Sequence, residues 1–189
     1  VQIEAIDIDR NFGRTGLSAQ QSHVPLGLMR TDEDRDLNVI APREIRRWHL
    51  DLDRRVAHLE LPPSSHKSVQ IPLHPFVGCI AVAPEKGQVV DTLGVGTFGG
   101  NIDIPGLGPG AKVHLPVFVD GGLLFLGDLH AAQGDGEIIG GAIEVGGSVT
   151  FTVQHRPGRR IAAPRVETDS YIGAIGTGGT LQQAFEHAY

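Results

Sequence analysis

The densest group of polar side chains in an otherwise apolar part of the chain lies between Gly127 and Glu137. Asp128 and His130 follow an apolar run at alternate positions, so at a strand end both side chains point to one face. There they could bind one divalent ion or form a carboxylate–imidazole pair. Asp135 and Glu137 stand between glycines, where the backbone can bend both carboxylates toward the same cavity. Such a pocket would shift their pKa values, as acid–base catalysis needs. The alternative is a solvated Asp/Gly hairpin.

A second group of polar residues follows a double glycine in the segment Gly99-Gly-Asn-Ile-Asp103. Consecutive glycines expose backbone N–H groups, and here they stand beside two short polar side chains. Such a nest can hold a developing oxyanion, which makes Gly100 and Asn101 candidate catalytic residues. The alternative is a glycine-rich turn in which Asn101 and Asp103 cap their own backbone.

Two further side chains are candidates for a site. His74 lies between two prolines and is a candidate third metal ligand, with a histidine hydrogen-bonded in a loop as the alternative. Glu144 follows apolar residues on a predicted strand. Because lone carboxylates are rarely buried, we expect Glu144 to pair with a metal or with another cation.

The elements that must position these residues are short strands. Apolar runs recur at spacings of roughly ten residues with glycine-rich turns between them, a pattern typical of a β-sandwich or barrel. Strands are predicted at residues 1–9, 48–53, 56–61, 76–83, 112–119, 122–127, 138–145 and 148–154. Helices are predicted only at residues 41–47 and 181–189. The sequence therefore predicts a mainly β fold with a C-terminal helix.

Composition limits the partners of the chain. Its 189 residues include 16 Lys and Arg against 22 Asp and Glu, a net charge of −6, so no basic surface attracts nucleic acid or an anionic membrane. No apolar stretch reaches the length of about 20 residues that spans a bilayer. A single cysteine cannot form an internal disulfide, which predicts a cytoplasmic protein.

Because the chain begins at Val1 and its last helix lacks a capping signal, we expect it to be part of a longer polypeptide.

Four ordered blocks of this sequence resemble the acetamidase/formamidase family. They are HPFVGCIAVAP at residues 74–84, GGNID at 99–103, LPVFV at 115–119 and GDLHAAQGDGE at 127–137. The resemblance implies a β-sandwich-like single domain that lacks the family's front β-segment and C-terminal part. Within it, residues 1–60 would be a strand-and-linker flank, residues 61–160 the β core with the active site, and residues 161–189 a loop and the start of a late helix.

The resemblance also implies an activity. Members of the family are metal-assisted hydrolases that cleave the C–N bond of small amides such as formamide or acetamide, giving a carboxylate and ammonia. A small cyclic amide, as in a lactamase, is an alternative substrate, because fold and motif do not fix the substrate. A non-catalytic β-sandwich binding protein with a structural metal is the other alternative. The family further implies a homo-oligomer or association with the missing segments of the same polypeptide.

Particular residues take roles under this resemblance. Asp128 and His130 would hold a divalent ion, zinc or alternatively calcium, together with Asp103 or His74. Glu137 would act as base toward water and as acid toward the leaving amine, because an amide nitrogen must be protonated to depart. The N–H groups of the double-glycine segment would stabilise the tetrahedral oxyanion.

Overall fold

The computed structural model describes residues 1–17, 44–59, 68–85, 87–138 and 140–189. Within these residues the chain forms a helix, α1 (Leu181–Ala188), and fourteen strands. The strands are β1 (Gln2–Ile8), β2 (Phe12–Leu17), β3 (Glu44–Asp51), β4 (Val56–Leu59), β5 (Gln70–Pro72), β6 (Phe76–Ala81), β7 (Val95–Gly96), β8 (Gly99–Asn101), β9 (Lys112–His114), β10 (Phe125–His130), β11 (Glu144–Val145), β12 (Gly147–Thr152), β13 (Arg165–Glu167) and β14 (Ile172–Ala174).

These strands build two antiparallel sheets. A five-stranded sheet has the order β12-β1-β9-β13-β14, and a nine-stranded sheet has the order β5-β4-β3-β2-β11-β10-β6-β8-β7. In the smaller sheet β1 pairs with β12 along its whole length and with β9 at its first residue. In the larger sheet β10, which carries the Asp128 and His130 motif, lies between β6 and β11.

The main hydrophobic core lies between the two sheets. Its buried members are Ile3, Phe76, Val77, Ile80, Leu107, Val113, Leu129 and Val166. Ile3, Val113 and Val166 belong to the smaller sheet, whereas Phe76 and Ile80 belong to β6 of the larger one. Burying an aliphatic or aromatic side chain of this size stabilises a fold by about 1.5–3 kcal/mol. This face-to-face packing confirms the mainly β, sandwich-like fold predicted from the sequence.

Four of the predicted elements are corrected by the structure. Two strands are shorter than predicted. Residues 112–119 give only β9 (Lys112–His114), because Pro116 lacks an N–H group for strand pairing. Among the described residues of 138–145 only β11 (Glu144–Val145) is a strand, because the Gly140 N–H closes a turn onto Glu137 O.

A helix and a third strand are corrected as well. The helix predicted at residues 41–47 is wrong over its described part, because β3 (Glu44–Asp51) pairs with β2 and β4 and buries Leu50. Residues 41–43 lie outside the described residues. The strand predicted at residues 122–127 begins at Phe125 instead, because Gly121, Gly122 and Leu123 adopt φ angles of 77°, 65° and 50° and form a turn. Strand pairing and positive φ override the local apolar pattern at both places.

The predicted C-terminal helix is confirmed. α1 begins after Thr180, whose side-chain oxygen accepts a hydrogen bond from the Gln183 backbone N–H at 3.2 Å. This is the usual N-cap geometry, which satisfies one of the unpaired N–H groups of the first turn. None of the residues of α1 is buried. Among the residues that the structure describes, no helix combines the length and apolarity needed to cross a bilayer.

Close packing of three strands requires the double glycine at residues 99–100. Gly99 and Gly100 have φ angles of 98° and 119° and lie in β8 between β6 and β7. A Cβ atom on Gly99 would overlap the backbone oxygen of Ile80, and one on Gly100 would overlap that of Gly94. Both positions therefore exclude a side chain for reasons of backbone geometry and of space.

We expect Gly100→Ala to lower the free energy of unfolding by more than Gly110→Ala does. Both glycines have positive φ, 119° and 93°, so each variant carries a backbone cost of about 1–2 kcal/mol. Only Gly100 also lacks room for a side chain, since its Cβ would overlap Gly94 O. A Cβ on Gly110 meets nothing within 4 Å. Overpacking should add about 1–3 kcal/mol at Gly100. Urea denaturation measures both values, and equal losses would contradict the packing argument.

Candidate functional site

The centre of the candidate site is His130, the last residue of β10. The register of the larger sheet places it opposite Phe76 of β6 and Glu144 of β11. Its side chain is only 2% exposed, and its ring packs edge-on against Phe76 with the ring centroids 5.0 Å apart. The Nε2 atom lies 3.3 Å from Asp128 Oδ1 and 3.3 Å from Glu144 Oε2. A buried imidazole nitrogen thus faces two carboxylates.

The other ring nitrogen of His130 contacts an amide. His130 Nδ1 lies 2.8 Å from Gln133 Oε1, and Gln133 Nε2 donates a hydrogen bond of 2.7 Å to the backbone oxygen of Asp103. The same glutamine side chain therefore connects the end of β10 with the segment that follows β8. This contact holds the polar residues of two separate sequence blocks side by side.

Asp103 reaches the same site from the turn after β8. Its backbone N–H donates to Gly78 O at 3.1 Å, and its Oδ2 accepts a hydrogen bond from the side-chain amide of Asn101. Asp103 Oδ1 is buried and has no hydrogen-bond partner among the described residues. An unpartnered buried oxygen of a carboxylate is costly, and such an atom in a native structure usually has a functional explanation.

Two overlapping sets of side chains could hold a metal ion. One set is Asp103, Asp128 and His130, and the other is His130, Glu137 and Glu144. In each set the ligand atoms lie within 4.8 Å of one another. We call Asp103, Asp128, Glu137 and Glu144 the site carboxylates. Asp128 and Glu144 also line a cleft of about 340 Å³, whose lining does not include the other residues of the cluster.

Three of the site carboxylates have unusual backbone conformations. Asp103, Asp128 and Glu137 have φ angles of 49°, 58° and 42°, and only two other non-glycine residues of the described chain have positive φ. This left-handed conformation costs an L-residue about 1–2 kcal/mol. Residues of this kind cluster at functional sites when the surrounding structure holds them in place. Both sheets therefore stabilise a strained arrangement that brings the carboxylates together.

The environment shifts the pKa values of the site. Burial and the nearby Glu137 carboxylate raise the pKa of Asp103 to about 7. Burial also raises the pKa of Glu137. Although burial opposes the charged form of His130, the carboxylates of Asp128 and Glu144 raise the pKa of its imidazole to about 10. The His130 contact lowers the pKa of Asp128. These shifts show a cluster in which negative charge attracts either protons or a cation.

Some residues expected from the sequence lie elsewhere in the structure. His74 is exposed, and its backbone N–H donates to Ala131 O at 2.9 Å. Asp135 is exposed in the turn before Glu137. Neither belongs to the two possible ligand sets found among the described residues. The backbone N–H of Asn101 donates to Gly94 O at 3.2 Å, so strand pairing already uses one N–H group of the double-glycine segment.

Sequence reasoning missed Gln133 and Gly78, and it expected a cationic partner for Glu144 without placing that residue in the site. Glu144 was expected to pair with a cation, and the structure gives it His130 as that partner. Gln133 lies in the polar block at residues 127–137, but a single glutamine has no recognisable pattern, so the sequence alone does not single it out. Gly78 was also missed. A Cβ atom on it would lie 2.7 Å from Asp103 Oδ1 and 2.8 Å from Asp128 Oδ2, so its lack of a side chain makes room for both carboxylates.

Sequence comparison relates this site to a known family. The sequence model of the Acetamidase/Formamidase family matches residues 82–172. Over 100 residues the chain is 40% identical to a formamidase of Methylophilus methylotrophus, in an alignment that covers 52% of this chain and 24% of that protein. These matches confirm the resemblance found in the sequence blocks, and residues 82–172 carry the match to the acetamidase/formamidase family.

Solved structures share the fold. An acetamidase from Yersinia enterocolitica superimposes with a TM-score of 0.78 at 30% identity, covering 100% of this chain and 54% of that chain. The chain thus spans about half the length of that acetamidase. A gamma lactamase from Delftia acidovorans is more distant, with a TM-score of 0.58 at 23% identity over 88% of this chain and 50% of that one. This second similarity concerns the fold alone.

We expect Gly78→Ala to weaken the binding of divalent cations by at least about 10-fold, because the added methyl group would push Asp103 and Asp128 out of position. Gly134→Ala is the matched control, since Gly134 is exposed and a Cβ there meets nothing within 4 Å. Isothermal titration of each variant with Zn²⁺ measures the effect, and circular dichroism verifies the fold. Equal affinities of the two variants would contradict this role of Gly78.

In chelator-treated protein, we expect Asp103 to make stability fall between about pH 4 and about pH 7, because its pKa rises from the ordinary 3.8 to about 7 on folding. Over that range the folded state holds a proton that the unfolded state has lost, so rising pH favours unfolding. Asp103→Asn removes this titration. The thermal midpoint of the variant should therefore depend less steeply on pH, and an unchanged slope would show that the carboxyl group titrates normally.

Proposed function

We propose that the protein hydrolyses small amides of the formamide or acetamide type to a carboxylate and ammonia. The observation that carries this proposal is the cluster of a buried imidazole and four carboxylates. It is built by residues 103–144, which lie inside the segment that matches the family. The names of the formamidase and acetamidase relatives support the same class of substrate.

We further propose that a divalent ion binds at His130 Nε2 together with site carboxylates. The unpartnered, buried Oδ1 of Asp103 supports this, because a cation ligand would remove the cost of that buried oxygen. A mixed set of nitrogen and oxygen donors suits zinc, whereas calcium takes six to eight oxygen ligands and is the alternative. When bound, such an ion would polarise the amide carbonyl or activate a water molecule.

Glu137 is the proposed acid–base residue. It is half-buried at the edge of the cluster, and burial raises its pKa toward the range in which a carboxyl group can both accept and donate a proton near neutral pH. It would take a proton from the attacking water and give one to the nitrogen of the amide. Without this second transfer the leaving group would be an amide anion, which is a very poor leaving group.

The hydrogen bonds around Asp103 indicate how Gly100 and Asn101 would contribute to the site. The side-chain amide of Asn101 donates to Asp103 Oδ2 and so orients that carboxylate. The backbone N–H of Asn101 is engaged by Gly94 O, which leaves it no free hydrogen for an oxyanion. We therefore propose that Asn101 acts through the orientation of Asp103, while Gly100 provides the backbone geometry that allows this approach.

The surroundings of the cluster support two further proposals. The cleft of about 340 Å³ that Asp128 and Glu144 line is compatible with a small amide. Leu181 and Phe185 stand one turn apart on α1 and are exposed at 92% and 68%, which supports a homo-oligomer or association with further segments of the same polypeptide. Cys79 is a free thiol, which is compatible with the cytoplasmic location that we propose.

We expect Glu137→Gln to reduce ammonia release from formamide and acetamide by at least about 100-fold, because the amide side chain can neither accept nor donate the transferred proton. Assays on the purified protein before and after chelation would also test the need for a divalent ion. Propionamide and a small lactam, included in the same assay, would establish the preferred substrate.

Glu85→Gln is the matched control for this substitution, because Glu85 is exposed outside the site and the change in charge is the same. Near-normal turnover by Glu137→Gln would contradict its acid–base role. If folded, unmodified protein released no ammonia from any of these amides, the enzymatic proposal would fail and a non-catalytic binding protein would be the better interpretation. Faster turnover of the lactam would favour the cyclic-amide alternative.

A further inference from the structure

Gln133 is a polar residue beside the site that has no place in the mechanism above. It follows two buried alanines, and its side chain is half-buried between β10 and the segment after β8. Its two amide atoms have different partners: Oε1 lies 2.8 Å from His130 Nδ1, and Nε2 donates to the backbone oxygen of Asp103 at 2.7 Å. One side chain thus contacts both a histidine and the backbone of a carboxylate residue of the site.

The hydrogen bond to Asp103 determines which way the amide of Gln133 faces. A backbone oxygen can only accept, so the NH₂ group must point toward Asp103 and the carbonyl oxygen toward His130. Because that oxygen can only accept, His130 Nδ1 must carry a hydrogen and donate it. In the neutral imidazole the lone pair is then on Nε2, the atom that faces Asp128 and Glu144.

We propose that Gln133 is a positioning residue that fixes the tautomer and ring orientation of His130 and thereby prepares Nε2 to bind a divalent ion. This inference rests on the proposed function, since it requires the ion. Gln133 would not itself be a ligand, because its oxygen faces Nδ1, the other ring nitrogen. Its carbonyl oxygen occupies the place that a carboxylate or backbone carbonyl takes behind many metal-binding histidines.

The second hydrogen bond of Gln133, from Nε2 to the backbone oxygen of Asp103, links two residues that would bind the ion, His130 and Asp103. Asp103 has a φ angle of 49°, a conformation that needs support from its surroundings. The contact from Gln133 Nε2 holds its backbone oxygen at a fixed distance from the His130 ring. Consequently the amide makes two distinct contacts, as acceptor for His130 and as donor for Asp103, and a substitution can remove the donor while keeping the acceptor.

The test compares Gln133→Glu with Gln133→Leu. The glutamate keeps an acceptor for His130 Nδ1 but loses the donor to Asp103, whereas the leucine loses both. Gln88→Leu is the control, because Gln88 is exposed outside the site. Each chelator-treated protein is titrated with Zn²⁺ in a calorimeter and with Co²⁺ while its visible absorption is recorded.

We expect Gln133→Leu to weaken Zn²⁺ binding by about 10- to 100-fold and to alter the Co²⁺ spectrum, while Gln133→Glu stays close to the unmodified protein. If both variants lost the same Zn²⁺ affinity, the effect would come from the contact with Asp103. That result would overturn the proposed role of Gln133 toward His130. Unchanged affinity of Gln133→Leu would overturn the inference while leaving the metal site intact. Unmodified protein that binds neither ion would overturn the metal site as well, so the two failures are distinguishable.

Discussion

The site depends on one buried contact, in which His130 Nε2 faces the carboxylates of Asp128 and Glu144. Negative charges that are partly removed from water must be balanced, because an unpaired buried charge costs several kcal/mol. In the metal-free protein a proton on the imidazole provides that balance, which explains why its pKa rises to about 10. A divalent cation bound to the same atom would provide it in the loaded protein. The basic character of His130 and its suitability as a ligand therefore have the same cause.

The two sheets make this contact possible by holding a strained backbone. Asp103, Asp128 and Glu137 all have left-handed conformations, which aspartate tolerates better than most residue types but glutamate disfavours. Such conformations persist only where strand pairing and packing fix the chain on either side. Gly78 contributes by its small size, because a Cβ atom there would lie only 2.7 Å from Asp103 Oδ1 and 2.8 Å from Asp128 Oδ2. The core between the sheets is thus a precondition for the geometry of the site.

Much of the fold and part of the site could be predicted from the sequence. The strand at Phe76–Ala81, the C-terminal helix and the shared face of Asp128 and His130 follow from local pattern alone. The place of Glu144 depends on the register between β10 and β11, which no local pattern encodes. The side of the chain on which His74 and Asp135 lie depends on loop geometry, and both side chains are exposed. The orientation of the Gln133 amide depends on a hydrogen bond to the backbone of Asp103, thirty positions away, so only the structure could reveal it.

The site carboxylates, His130 and Gln133 all lie within residues 82–172, the segment that matches the family. The flanking segments contribute in a different way, since β1 adds Ile3 to the core and β6 adds Phe76, against which the His130 ring packs. The flanking segments thus supply packing and, at Gly78 of β6, the space that Asp103 and Asp128 need. A substitution inside residues 82–172 can change the charge or ligands of the cluster directly, and one at Gly78 can displace two of the carboxylates. A substitution in β1 can reach the cluster only by loosening the packing that fixes it.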